Sequence, residues 1–174
     1  MQPNRYSKGL VILHWVLALL LFGALMAGTF VLDATPNSDP DKRISFIMHM
    51  SIGVTILALM VLRLYVRLSR PQPAPFDSGS PARDGFARAV HWALYALAIA
   101  VAVSGIALSV TSGLPDALFG EGTLPADFSD YPARAAHGIL TKVLAALIVL
   151  HVAAALWHGL VRRDGIFARM RLRG

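Results

Sequence analysis

The sequence contains no cysteine, which excludes disulfides, iron–sulfur clusters, thiolate zinc sites and the thioether tether of a c-type haem. Charge is also scarce. Only 15% of the 174 residues are charged, whereas 56% are hydrophobic, a balance far from that of a soluble domain. Carboxylates are missing altogether from four long apolar runs, residues 10–31, 44–66, 89–110 and 135–161. A proton pump, a cation carrier or a mixed carboxylate–imidazole metal site would place such groups there. Histidine, in turn, is missing from the connecting loops, because all six histidines fall inside the four runs. No nicotinamide or flavin fingerprint and no nucleic-acid module is present. The formal net charge of +6 sits on arginines crowded into short segments, which suits a membrane surface better than a nucleic-acid groove.

Each apolar run is long enough to cross a hydrocarbon core, which needs about 20 helical residues. The first run is too long for a signal-peptide core and lacks a small-x-small cleavage site, so it is read as a retained span. The expected fold is all-α: one domain over residues 1–174, an integral membrane four-helix bundle running up-down-up-down in a lipid bilayer. Arg5 and Lys8, then Arg67, Arg70, Arg83 and Arg88, then Arg162, Arg163, Arg169, Arg171 and Arg173 mark one side, against Lys42, Arg43 and Arg134 on the other. Positive charge collects on the cytoplasmic side, which predicts cytoplasmic termini and a cytoplasmic middle loop. That loop, with Pro71-Gln-Pro-Ala-Pro75 and Ser78-Gly-Ser-Pro81, reads as a stiff connector. The acidic loop 111–132 carries Leu118-Phe119, which is expected to dip into the interface. His14-Trp15 and His91-Trp92 look alike but do not establish a repeat.

The last run organises the chemistry. On one helix, His137 and His151 lie within about 40° of each other and about 21 Å apart, and His158 falls within about 20° of the same stripe. Depth places His14, His91, His151 and His158 in the cytoplasmic half and His49 and His137 in the opposite half. The outer half therefore has only one possible pair, His49 with His137. Two neutral imidazoles from opposite helices, holding iron axially, describe a six-coordinate haem b lying between membrane helices. Gly53 and Gly138 leave room beside a porphyrin or serve ordinary helix packing. In the inner half both His14 and His91 stand as partners for His151.

Three groups of residues carry a resemblance: Arg5-Tyr-Ser-Lys-Gly-Leu-Val-Ile-Leu-His14-Trp15 opening the first run, His49 with Gly53, Arg63 and Arg67 in the second, and His137 with His151 in the last. Over essentially its whole length the chain resembles the bacterial cytochrome b561 family, four-helix di-haem cytochromes of the inner membrane. The resemblance implies two haem b groups, one on His14 and His151 at the cytoplasmic side and one on His49 and His137 at the periplasmic side. It also implies ubiquinone as substrate. Some members oxidise superoxide at the periplasmic haem and reduce ubiquinone at the other side.

The expected function is thus a di-haem electron-transfer protein, an oxidoreductase linking a periplasmic one-electron donor, with superoxide as a candidate, to ubiquinone. A second reading is a cytochrome b anchor conducting electrons for a partner redox subunit, a larger dehydrogenase or hydrogenase. A third, of another class, is a histidine-lined metal transporter or a haem-free scaffold. Arg63, near the face of His49 but at the cytoplasmic end, is expected to meet haem propionates, and His158 to contact quinone. His91 is read as an interfacial hydrogen-bonding residue and Arg67 as a span boundary. Lys42, Arg43 and Arg134 bracket the outer site, where they would hold propionates or attract an anion. The outer loops nevertheless carry seven acids, Asp33, Asp39, Asp41, Asp116, Glu121, Asp127 and Asp130. Lys142 is expected to snorkel. Trp15, Trp92, Trp157, Tyr6, Tyr65 and Tyr95 are assigned to an interfacial belt, and the methionines at 26, 48, 50 and 60 to packing.

Overall fold

The computed structural model describes residues 5–171; Arg173, counted above with the terminal basic residues, lies outside them. Helix α1 covers Lys8–Ala27 and runs on through a π turn, Gly28–Leu32. Helices α2 (Lys42–Ser69) and α3 (Pro81–Thr111) follow, then a short α4 (Leu114–Phe119) and α5 (Pro132–Leu156), which continues as a π turn, Trp157–Arg162. A 3-10 turn, Phe167–Met170, closes the chain. The described residues contain no strand, and four helical segments are long and apolar enough to cross a membrane.

The helices overrun their apolar cores because the flanking sequence supplies the right ends. Ser7 accepts the Leu10 amide at the start of α1, satisfying a first-turn donor. Pro81 and Pro132 stand in the first turns of α3 and α5, where a missing amide hydrogen costs nothing. Asp84 accepts the Ser78 amide at 3.2 Å, joining the connector to the first turn of α3. Gly113, with φ +68°, supplies the left-handed residue that turns α3 into α4.

Close backbone packing joins α1 to α2, α2 to α3 and α3 to α5. Helix α5 makes no comparable backbone approach to α1 or α2 and meets them instead through histidine rings. A hydrophobic core fills mid-bundle: Leu17, Ile56, Met60, Tyr95, Ala98 and Leu144. Leu144, only 1% exposed, lies seven residues from both His137 and His151, so the stripe that carries two imidazoles carries an apolar plug between them. Outer faces are apolar and exposed, with Leu19 and Val149 among them, as a lipid solvent requires.

Two expectations change here. Tyr95 leaves the interfacial belt: it is buried in the core, where Arg63 satisfies its hydroxyl. In the 111–132 loop, Leu118 turns inward against Leu114 and Phe128 while Phe119 stays exposed.

Candidate functional site

Two histidine clusters stand at opposite ends of the bundle. At the loop end, where Asn37 donates to Pro125 O and Arg134 pairs with Asp33, the rings of His49 and His137 meet near-perpendicular, with centroids 6.4 Å apart and planes at 85°. His137 Nδ1 lies 3.0 Å from both Val101 O and Ser104 Oγ. A carbonyl oxygen only accepts, so Nδ1 carries the proton and Nε2 is left as the basic nitrogen. Gly105 makes this seat possible, since a Cβ there would lie 3.1 Å from His137 Cε1. Gly28 does the same for His49, at 3.3 Å from its Cε1.

Two buried polar atoms at this end have no hydrogen-bond partner among the described residues, His49 Nδ1 and Thr141 Oγ1. Thr141 is one turn from His137 on the same stripe. Space beside Gly53 is open, with no atom within 4 Å of where a Cβ would stand. Gly138 instead makes room for the Arg134 guanidinium, whose Nη1 lies 3.3 Å from the place a Cβ would take.

The loop-end cations hold the protein's own loops. Lys42, nearly fully buried, donates to Leu32 O and Thr35 O and so satisfies carbonyls left by the end of the first span. Arg43 donates to Leu118 O at 2.9 Å, and Arg134 pairs with Asp33 at 2.7 Å. Arg134 also lines a cavity of about 440 Å³ with Asp127, Ser129, Gly138, Ile139 and Lys142. Lys142 therefore reaches a polar hollow beside Arg134. The hydroxyl and amide of Ser129 hold the Asp127 carboxyl below the usual carboxylate range.

At the other end, α1, the connector and the tail are tied together: Trp15 donates to Met170 O at 3.0 Å and Arg169 to Ala74 O at 2.7 Å. Here His151 has two ring neighbours, His14 at 6.2 Å and His91 at 5.5 Å. Arg63 donates from Nε to Tyr95 Oη and from Nη1 to Leu10 O, both at 2.9 Å. Among the described residues neither bond uses its Nη2. Arg67 lies over the Trp92 and Tyr95 rings at 4.9 and 5.2 Å. His158 stands apart from this trio: its Nδ1 is 2.5 Å from Asp164 Oδ2, and Phe76 packs edge-on at 6.0 Å. Partial burial works to raise the Asp164 carboxyl, but hydrogen bonds from His158 and the Ile166 amide, with the charge of Arg162, hold it below the usual range.

These residues fit a bis-imidazole haem. Two imidazoles on opposite sides of one iron, with metal–nitrogen bonds of about 2.0 Å, have ring centroids about 6.3 Å apart. The His14–His151 and His49–His137 separations of 6.2 and 6.4 Å match it, and the 5.5 Å of His91–His151 falls short. A hydrogen-bonded second nitrogen on His137, an unpartnered one on His49 and α5 standing off from α1 and α2 are further features of such a seat. Among the described residues no three His, Asp or Glu side chains converge as on a bare metal ion.

Reading the sequence missed Gly28, Ser104, Gly105, Thr141, Phe76 and Asp164. Thr141 was findable, since it lies four residues after His137 on the stripe already identified. The Ser104-Gly105 pair interrupting an apolar run was a weaker signal.

Residues 5–172 match the family described as prokaryotic cytochrome b561. The chain is similar to cytochrome b561 homolog 2 of Escherichia coli (strain K12), 31% identical, the match covering 97% of this chain and 92% of that one. It is also similar to the probable superoxide oxidase CybB of Yersinia pestis, 30% identical with 96% of each chain covered.

Proposed function

The chain belongs to the prokaryotic cytochrome b561 family, membrane cytochromes b that transfer electrons, and from that premise we propose a di-haem b protein of the bacterial inner membrane linking a periplasmic one-electron donor to ubiquinone. The observation that carries this reading is the two paired imidazoles at each end of one bundle, 6.2 and 6.4 Å between centroids. Haem b, when bound, supplies the one-electron iron couple. His14 with His151 and His49 with His137 would hold the two groups.

Each remaining part is work done by this chain. Val101 O and Ser104 Oγ fix the His137 tautomer so that Nε2 is presented as a base. Arg63, anchored on Tyr95 and Leu10 O, offers Nη2 to a propionate. Leu17, Ile56 and Leu144 pack as an apolar plug between the two ends. The arginine distribution supports a cytoplasmic terminal end, where His158 would receive the quinone.

For the donor we adopt superoxide, in line with the name of the Yersinia pestis relative. Lys42 and Arg43 are engaged with loop carbonyls, so the cavity of Arg134 and Lys142, beside His137 on α5, is the place where positive charge meets a small anion. The test mixes haem-loaded protein with a superoxide source and a soluble quinone, following haem reduction and quinol formation separately. Superoxide-dependent quinol formation is expected. Haems reduced by quinol but indifferent to superoxide would overturn the donor assignment in favour of a conduit for a partner redox subunit.

A further inference from the structure

We propose that Asp164 is a positioning residue that makes His158 the proton donor in quinone reduction; the inference rests on reading His158 as the quinone contact. Asp164 Oδ2 lies 2.5 Å from His158 Nδ1. A carboxylate only accepts, so Nδ1 bears the hydrogen and Nε2, on the far edge of the ring, is the nitrogen left for a ligand. His158 and Asp164 side chains are 26% and 15% exposed, sheltered but within reach of water.

The backbone around Asp164 is shaped for this contact. Arg163 has φ 50°, the one non-glycine left-handed residue among those described, and Gly165 has φ 79°. A left-handed arginine is strained, and the turn folds Asp164 back beneath the end of the last span. An acid at a helix C-terminus is repelled by the helix dipole, so helix capping does not account for it. The imidazole opposite does. Asp164 Oδ1 accepts the Ile166 amide at 3.3 Å, and Phe167 packs into the space that Gly159 leaves, 3.6 Å from where a Cβ would stand.

Among the described residues, Arg162 is the cation that pairs with the dyad. Arg162 Nε lies 3.7 Å from the same Asp164 oxygen. From the connector the contact is apolar, Phe76, while the adjacent Asp77 accepts the Gly79 amide. From the 3-10 turn it is Phe167, with Arg169 engaged by Ala74 O.

Converting a quinone to its quinol takes two electrons and two protons. The electrons come from the established membrane electron transfer; the protons enter from the terminal side because the mid-bundle core is packed with apolar side chains. Cationic His158 gives its Nε2 proton to a quinone oxygen as an electron arrives, and neutral His158 regains a proton from water. The second electron and proton follow the same route. Asp164 stays ionised throughout, holding Nδ1–H and stabilising the cationic ring.

The experiment measures quinol formation by the haem-loaded full chain across pH, with solvent deuterium isotope effects, for wild type, D164N, D164E, R162Q and H158L. For D164N, kcat falls about tenfold to a hundredfold, the lower part of the range of general acid catalysis. Its alkaline limb moves to lower pH and its isotope effect rises, while haem content and quinone KM hold. D164E keeps the limb in place. R162Q, at a partly exposed side chain, moves it to higher pH and carries the test if D164N does not accumulate. Wild-type kcat and pH profiles in D164N and R162Q, with H158L still slow, would overturn this inference and leave the quinone site standing. Wild-type kinetics in H158L would overturn the quinone site itself.

Discussion

Replacing Gly105 with alanine puts one methyl group against the ring on which the loop-end site turns. Its Cβ would stand 3.1 Å from His137 Cε1 and 3.4 Å from Nδ1, so the ring must retreat by a few tenths of an ångström. It cannot do so freely, because Nδ1 is held at 3.0 Å by Val101 O and Ser104 Oγ. Overpacking of this kind costs about 1–3 kcal/mol, and each 1.4 kcal/mol is about a factor of ten. Affinity for the loop-end haem should therefore fall roughly fivefold to a hundredfold. Helix α3 itself gains from the change, since alanine is favoured over glycine by about 1 kcal/mol in a helix interior, so a loss of haem cannot be blamed on an unravelled helix. The assay is haem titration of the purified protein, read by the visible spectrum and the haem-to-protein ratio. G28A, at 3.3 Å from His49 Cε1, should show a smaller loss. G53A meets no protein atom, so any loss there reports a porphyrin lying along that face. Wild-type affinity and spectrum in G105A would refute the reasoning.

Lys42→Met leaves Leu32 O and Thr35 O without their donor and should cost about 1–3 kcal/mol, lowering the thermal midpoint. R134Q breaks a pair whose side chains are 37% and 60% exposed and should cost under about 1 kcal/mol; equal drops in the two midpoints would contradict the assignment of Lys42 as a structural cap. R63M removes charge-assisted bonds to Tyr95 and Leu10 O, and spectra should show selective weakening of the terminal-end haem. Because the Asp164 carboxyl is held below its ordinary value, its support of the tail is complete above the ordinary carboxylate pKa of about 3.9 and is lost as pH falls through the lower folded value. Hydrogen-exchange protection factors in residues 163–171, corrected for the intrinsic pH dependence of exchange, should thus stay constant from neutral pH to mild acid and fall only below it; lost protection already in mild acid would argue against the pair.

The four spans were legible because lipid imposes a coarse rule on composition: an uninterrupted apolar run of helical length has few other solutions. The stripe of His137, His151 and His158 was legible for the same geometric reason, one helix and one period. What joins different helices was not. Nothing in the spacing tells that Arg63 will reach Tyr95 and the Leu10 carbonyl, or that Tyr95 will be core rather than interface, because both depend on how α1, α2 and α3 are rotated against each other. The partners of the loop-end cations were hidden in a related way. Lys42, Arg43 and Arg134 read as charges that would hold propionates or attract an anion; in the fold Lys42 and Arg43 donate to backbone carbonyls, while Arg134, paired with Asp33, also lines the cavity beside Lys142. Asp164 carries no signal of its own, because it lies just beyond a span free of carboxylates and only the left-handed turn at Arg163 brings it back to His158.

The proposed function requires that two imidazole pairs each hold a haem b. A pyridine haemochrome assay on the purified chain, normalised by amino-acid analysis, tests it directly when repeated on H49L, H137L, H14L, H151L and H91L. Two b-type haems per wild-type chain are expected, one in each of the first four variants, and two in H91L. One haem per wild-type chain, or a haem lost from H91L and kept by H14L, would contradict it.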